Sequence, residues 1–158
     1  MFITTGPTES PVSGQGAIGS LAEPLQALSQ FYKALNARDM QMMEQNWVAS
    51  SDAAMDNPLG GITRGWPNIH AVYERLFAVK GNYRFEFWDY TLHVAADVFF
   101  VVGRERGRIE AHDSALDLAI RTTRLFTREG SGWRQLHHHG SIDDPDMLSR
   151  YQRLVLGR

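Results

Sequence analysis

Near residue 82 the chain changes its hydrophobic period, and this change constrains the fold more than any other feature. Upstream, apolar residues recur every three or four positions. In LAEPLQALSQFYKALNARD these are Leu21, Leu25, Leu28, Phe31, Tyr32 and Leu35, which predicts an amphipathic helix with Pro24 in its first turn. Asp39 can cap a second, shorter helix, MQMMEQNWV, with Met43 and Trp47 on one face. Turn chemistry follows at Asn57-Pro58 and Gly60-Gly61. A third helix, WPNIHAVYERLFAV, aligns Trp66, Ile69, His70, Tyr73, Leu76 and Phe77. Downstream the period is two. YRFEFWDYTLHV, ADVFFVVGRERGRI, ALDLAIRTTRLFTRE and GWRQLHHHGSI read as four successive strands separated by short turn segments, and PDMLSRYQRLV as a closing short helix. Helices first and an antiparallel sheet afterwards predict an α+β fold.

A chain of 158 residues suits one core-bearing domain, expected over 21–158. The first 20 residues are rich in Gly, Pro, Ser and Thr and read as a flexible N-terminal arm, free or docked on a neighbour. A net charge of −2 gives no reason to expect nucleic acid or an anionic membrane as partner. The absence of cysteine removes disulfides, thiol nucleophiles and thiolate metal sites together. No apolar run approaches the ~18 residues of a membrane span, and the start lacks the order of a signal peptide, so a cytoplasmic location is expected. DVFFVVG is apolar on both faces, where a strand with one wet face would alternate. The sheet is therefore expected to be covered on both sides, most simply by the helices and by a second copy of the chain.

Two arginines interrupt the pattern. In ALDLAIRTTRLFT the apolar face carries Leu116, Leu118, Ile120, Thr122, Arg124 and Phe126. On the preceding strand Val98, Phe100, Val102 and Arg104 also share a face. An arginine turned into a core needs a carboxylate, an anionic ligand or a route to water for its head group. Asp56 and Asp89 are candidate internal partners; a shared anion site at Arg104 and Arg124 is the other reading.

The order of FYKALNARD, DAAMDNPLGGITRGWPNIHAVYERLF and RTTRLFTREGSGWRQLHHHGS resembles the nuclear transport factor 2-like superfamily, which includes ketosteroid isomerase and SnoaL-like proteins. The resemblance spans residues 31–141 and implies a cone-shaped fold, three N-terminal helices packed on a strongly bent antiparallel sheet, with dimers formed through the outer sheet face. It does not imply steroid isomerisation. The catalytic aspartate of that enzyme falls at Asn57, its oxyanion-hole tyrosine at Phe31 and its protonated aspartate near Thr122. Tyr73 matches a pocket tyrosine. The C-terminal half is similar to the association domain of calcium/calmodulin-dependent kinase II, through Thr123-Arg124, Trp133, His137, His139 and Ser141. Two pocket arginines of that domain fall at Arg104 and Arg124, the third at Gly140.

Alternation divides WRQLHHHGS. Trp133, Gln135, His137, His139 and Ser141 lie on one face, and Arg134, Leu136, His138 and Gly140 on the other. The resemblance makes the face of Gly140 the pocket face. His138 then looks inward as a candidate acid or base, or as a hydrogen-bonding wall residue, and His137 and His139 look toward a dimer partner. His137 and His139 can chelate, but with no cysteine and no HExxH helix no metal site is expected. No nucleophile elbow, phosphate loop or dinucleotide fingerprint occurs, so no cofactor is expected. The expected protein binds a small, anionic, partly apolar organic ligand. Arg104, Arg124, Asn57, Trp66, Phe31 and Thr122 would form the binding residues, and His138 and Tyr73 the catalytic candidates for isomerisation, dehydration or hydrolysis. The alternative is a non-catalytic binding or oligomerisation module.

Overall fold

A computed structural model describes residues 1–157 as four helices and one seven-stranded sheet. The strands are β1 (Ile3–Thr8), β2 (Ala54–Asp56), β3 (Thr63–Arg64), β4 (Asn82–Val94), β5 (Val98–Ala111), β6 (Ser114–Glu129) and β7 (Gly132–Ser141). The helices are α1 (Pro24–Ala37), α2 (Met40–Asn46), α3 (Trp66–Ala78) and α4 (Pro145–Leu156). Arg158 lies outside the described residues. The α+β expectation stands in this form, with two corrections. A strand precedes the helices and two short strands separate α2 from α3, so the helices are not an uninterrupted group of three. The sheet, ordered β1-β4-β5-β6-β7-β2-β3, is mixed, because β2 runs parallel to β7.

Local chemistry explains the helix ends. Pro24 opens α1, where its missing N–H is no loss, and Arg38 closes it in the left-handed region. Asp39 accepts the Met42 N–H at 2.9 Å and starts α2. Asp144 accepts from the N–H groups of Asp146 and Met147 at the start of α4. Between helices and sheet lie Ala27, Leu28, Phe31, Tyr32, Trp47, Ile69, Phe87, Phe99, Phe126 and Trp133, all essentially inaccessible to water. Burying each large side chain contributes roughly 1.5–3 kcal/mol.

Part of the N-terminal segment joins the sheet. β1 pairs antiparallel with β4, Val12 bridges to Phe87, and Phe2 meets Phe100 edge-to-face at 5.4 Å. At Gly14, which has φ +70°, a Cβ would fall 2.2 Å from the Lys33 backbone nitrogen, so the close approach to α1 requires glycine. Part of the second cover expected for the β5 face thus comes from this chain's own terminus, while Val102 on that face remains 45% exposed.

Two bulges set the side-chain directions. The β4–β5 register shifts between Trp88 and Thr91, where Asp89 takes φ +47°. The β6–β7 register shifts between Leu125 and Phe126: Leu125 pairs with His137 and Phe126 with Gln135, leaving Leu136 as the extra residue. Beyond Ser141, which pairs with Arg121, β6 continues alone on that side, and α4 runs along the open edge. There Arg150 donates to the Ala115 carbonyl, and the Ala119 N–H meets Met147 Sδ at 3.3 Å. Covering that edge removes a template for strand pairing with other chains.

Candidate functional site

The inner face of the sheet carries one fully buried ion pair. Arg124, from the middle of β6, is 2% exposed, and Glu105, from β5, is 5% exposed. Arg124 pairs across the strands with Val101, and Glu105 stands two inward positions further along β5, so the guanidinium lies along the sheet to reach it. Its NH2 donates to Glu105 Oε2 at 2.9 Å, its NH1 to Gln135 Oε1 at 2.8 Å and its Nε to Tyr32 Oη at 3.3 Å. Tyr32 donates in turn to Glu105 Oε2 at 2.6 Å. The Phe31 ring lies 3.6 Å from Arg124 Cζ, a cation–π stack without solvent between. Gln135 Nε2 donates to Asn46 Oδ1, and Asn46 donates to the Ala27 carbonyl and to Gln30, which ties the pair to α1 and α2.

Electrostatics follow from this burial. Desolvation opposes the charge of Arg124, but Tyr32, Glu105 and Tyr73 outweigh it and hold its pKa above the ordinary arginine value. Burial, then the charge of Glu105, pushes the Tyr32 phenol well up, so the phenol keeps its proton. Burial pushes Tyr73 up to about 12. His138 is displaced the other way. Burial and then the Arg124 charge hold it well below the usual imidazole range, so it is neutral. Its Nδ1 faces the Thr123 carbonyl at 3.4 Å. A carbonyl only accepts, so this nitrogen carries the proton and Nε2 keeps its lone pair.

These groups converge on an inner cavity of about 30 Å³, lined by Phe31, Asn57, Tyr73, Glu105, Arg124 and His138 among others. Tyr151 of α4 also lines it and is the one buried residue of that helix. A larger groove of about 730 Å³ lies between the N-terminal segment, α1 and the sheet. Its charged residues have partners: Arg106 pairs with Glu86, Arg108 with Asp117 and Arg84 with Glu110, and Lys33 donates to the Gly16 carbonyl. The smaller cavity is the better candidate site, because buried polar groups with perturbed pKa values meet there.

Of the residues expected to bind ligand or act on it, Arg124, Phe31, Asn57, Tyr73 and His138 come together. Arg104 does not join them. It lies on the outer face, 58% exposed, with its Nε 2.8 Å from Asp89 Oδ2, and the β4 bulge brings Asp89 into place. The expected Arg104–Arg124 anion site is therefore absent, and both guanidinium groups have carboxylate partners. Phe99 and Val101 point inward while Phe100 and Val102 point outward, the reverse of the sequence reading. In VFFVVG the two faces are equally apolar, so alternation alone could not choose between them. Trp66 starts α3 away from the cavity and donates to Glu44. Thr122 is buried beside the site with Oγ1 unpartnered among the described residues. Asp56 pairs with His137 and His139, not with an arginine.

Sequence reasoning missed Glu105, Tyr32 and Gln135. Once Phe99 is placed inward, the inward register runs Phe99, Val101, Gly103, Glu105, and the acid in RERGR becomes the evident partner of Arg124. Strict alternation groups Gln135 with His137 and His139. The bulge at Leu136 instead puts Trp133 and Gln135 on the inner face with His138 and Gly140.

Comparison with known proteins agrees with this architecture. A family model for the SnoaL-like domain matches residues 25–145. Among curated proteins no match was found. Among solved structures, a Thiobacillus denitrificans protein assigned as a calcium/calmodulin-dependent protein kinase type II association domain is 26% identical, with TM-score 0.67 over 77% of this chain and 95% of its own. A Streptomyces avermitilis protein assigned as an NTF2-like dehydratase is 19% identical, with TM-score 0.69 over 73% of this chain and 90% of its own. A ketosteroid isomerase-like protein from Erwinia carotovora atroseptica is 19% identical, with TM-score 0.65 over 79% of this chain and 97% of its own. The chain belongs to the SnoaL-like domain family.

Proposed function

We propose that this protein binds a small, partly apolar organic molecule in the inner cavity of a cone-shaped domain, and that the ligand is a neutral carbonyl compound. The observation that carries this reading is the charge balance at Arg124. Glu105 cancels its charge, which weakens the case for the anionic ligand expected from sequence. Three of the five N–H groups of Arg124 have partners, leaving two to donate to a neutral oxygen. His138, neutral with its Nε2 lone pair free, is placed to accept a proton from such a ligand. Cofactor-independent isomerisation or dehydration is the reaction type this set suits. A cavity of about 30 Å³ holds one or two waters, so binding requires Tyr151 to move, and with it α4, whose other core contacts (Met147, Leu154, Val155 and Leu156) are only partly buried.

The test is a thermal-shift screen of paired compounds, each carboxylic acid beside its methyl ester or amide. Binding raises stability by RT ln(1 + [L]/Kd). Esters and amides are expected to stabilise, Tyr151→Ala to admit larger ones and His138→Gln to weaken them. Acids that stabilise more than their esters at neutral pH would overturn the reading.

The small cavity also favours a second reading, a non-catalytic assembly module that dimerises through the outer sheet face. The Thiobacillus association-domain likeness supports it. Under it no compound shifts the melting point, and light scattering reports an assembly that Val102→Glu disrupts.

A further inference from the structure

The outer face of β7 carries a second cluster, independent of the cavity. β2 lies parallel to β7 in the register Ala54↔His137, Met55↔His138, Asp56↔His139. Met55 and His138 therefore point inward, and Asp56, His137 and His139 point outward together. Asp56 Oδ2 is 2.7 Å from His139 Nδ1, and Oδ1 is 3.6 Å from His137 Nε2. One ligand-capable atom from each residue lies within 4.8 Å of the other two.

Three observations separate this cluster from an ordinary surface ion pair. His137 Nδ1 is 3.0 Å from the Ala54 carbonyl, so that nitrogen carries the proton and the Nε2 lone pair is turned toward Asp56. A backbone carbonyl holding the far nitrogen is the usual support of a metal-binding imidazole. Asp56 Oδ1 is buried with no hydrogen-bond partner among the described residues, an expensive state for a carboxylate oxygen unless a cation completes it. Finally, the 3.6 Å between Oδ1 and Nε2 is close to the about 3.4 Å edge of a tetrahedral site with bonds of about 2.1 Å. His139 opens onto a groove of about 600 Å³ that gives an ion a way in. The two arginines of that groove are neutralised, Arg104 by Asp89 and Arg121 by Asp143.

We propose that Asp56, His137 and His139 form a two-histidine, one-carboxylate site for a divalent first-row transition ion, zinc foremost, with its open positions left to water. Two imidazoles and one carboxylate favour Zn²⁺, Co²⁺, Ni²⁺ or Cu²⁺ over Mg²⁺ and Ca²⁺, which prefer all-oxygen shells. The site lies outside the cavity, so it stands or falls separately from the proposed ligand binding.

The test uses untagged full-length protein freed of metal by chelator dialysis. Calorimetric titration with Zn²⁺ is expected to give one ion per chain, Co²⁺ to show visible d–d bands, and Mg²⁺ to give neither. Asp56→Asn, His137→Ala and His139→Ala should each weaken binding by on the order of 100-fold, because even supporting partners are worth 10–100-fold. His93→Ala and His112→Ala should leave it unchanged. Circular dichroism of each variant checks that the fold is kept. In histidine NMR, Zn²⁺ should move the His137 and His139 ring signals and leave His138 in place. Absence of Zn²⁺ binding, or binding that survives Asp56→Asn with His137→Ala, overturns the proposal.

Discussion

Replacing Glu105 by glutamine leaves the shape of the core nearly unchanged and removes the charge opposite Arg124. At 2.9 Å and an effective dielectric constant of about 20, the attraction between the two groups is about 6 kcal/mol. Desolvation takes back several kcal/mol per ion, so the intact pair contributes little net stability. The single substitution removes the attraction and keeps the desolvation of Arg124, and the expected loss is about 3–5 kcal/mol. The amide oxygen of glutamine can still accept from Tyr32, which lies 2.6 Å from Glu105 Oε2, so the change is one of charge. Arg124→Met should cost a similar amount by stranding Glu105. The double variant, Glu105→Gln with Arg124→Met, buries neither charge and should be more stable than either single one. Urea unfolding of the four proteins, at constant m-value, measures the coupling. A coupling energy under about 0.5 kcal/mol, with additive losses, would refute the claim that each charge is held in place by the other. Where a single variant fails to fold, recovery of folding in the double variant gives the same information.

Three further outcomes are expected. The folded-state pKa of His138 is depressed below 6.5, so the unfolded chain binds its proton first as pH falls. Stability should be fully present above about pH 6.5 and decline below it, by up to about 1.4 kcal/mol per pH unit until the folded state titrates, and His138→Gln should flatten that slope relative to wild type. Gly107→Ala places a Cβ 2.2 Å from the Phe85 ring and should cost roughly 1–3 kcal/mol in denaturant unfolding, recovered in part by Phe85→Leu. Deleting residues 1–12 uncovers the β4 edge and should lower the unfolding midpoint and promote association visible by light scattering; an unchanged midpoint would mean that β1 adds nothing to the fold.

Much of the fold is legible in the sequence, because amphipathic periods are local. The helical spacing of Leu28, Phe31 and Leu35 and the alternation of Leu118, Ile120, Thr122 and Arg124 place those residues inward, as the structure has them. The arginine in the core of β6 is equally legible, since a charge in an apolar register has no local explanation. The partner of that arginine was not legible. Alternation states which residues share a face, never which face is inside, and in Phe99-Phe100-Val101-Val102 the two faces are equally apolar. Packing against α1 decides it, and Glu105 becomes the buried acid in place of Arg104 as a second buried cation.

By itself, the sequence determined the α+β class, the helix faces, the inward course of β6 and the exclusion of thiol chemistry. Tertiary structure alone decided what surrounds the charged groups. The extra residue at Leu136 turns Gln135 to the same side as His138, a shift that strict period-two reasoning cannot register. The parallel pairing of β2 with β7 brings Asp56 to His137 and His139 from a distant part of the chain. Both depend on backbone pairing between segments far apart in sequence, and no local pattern encodes such pairing.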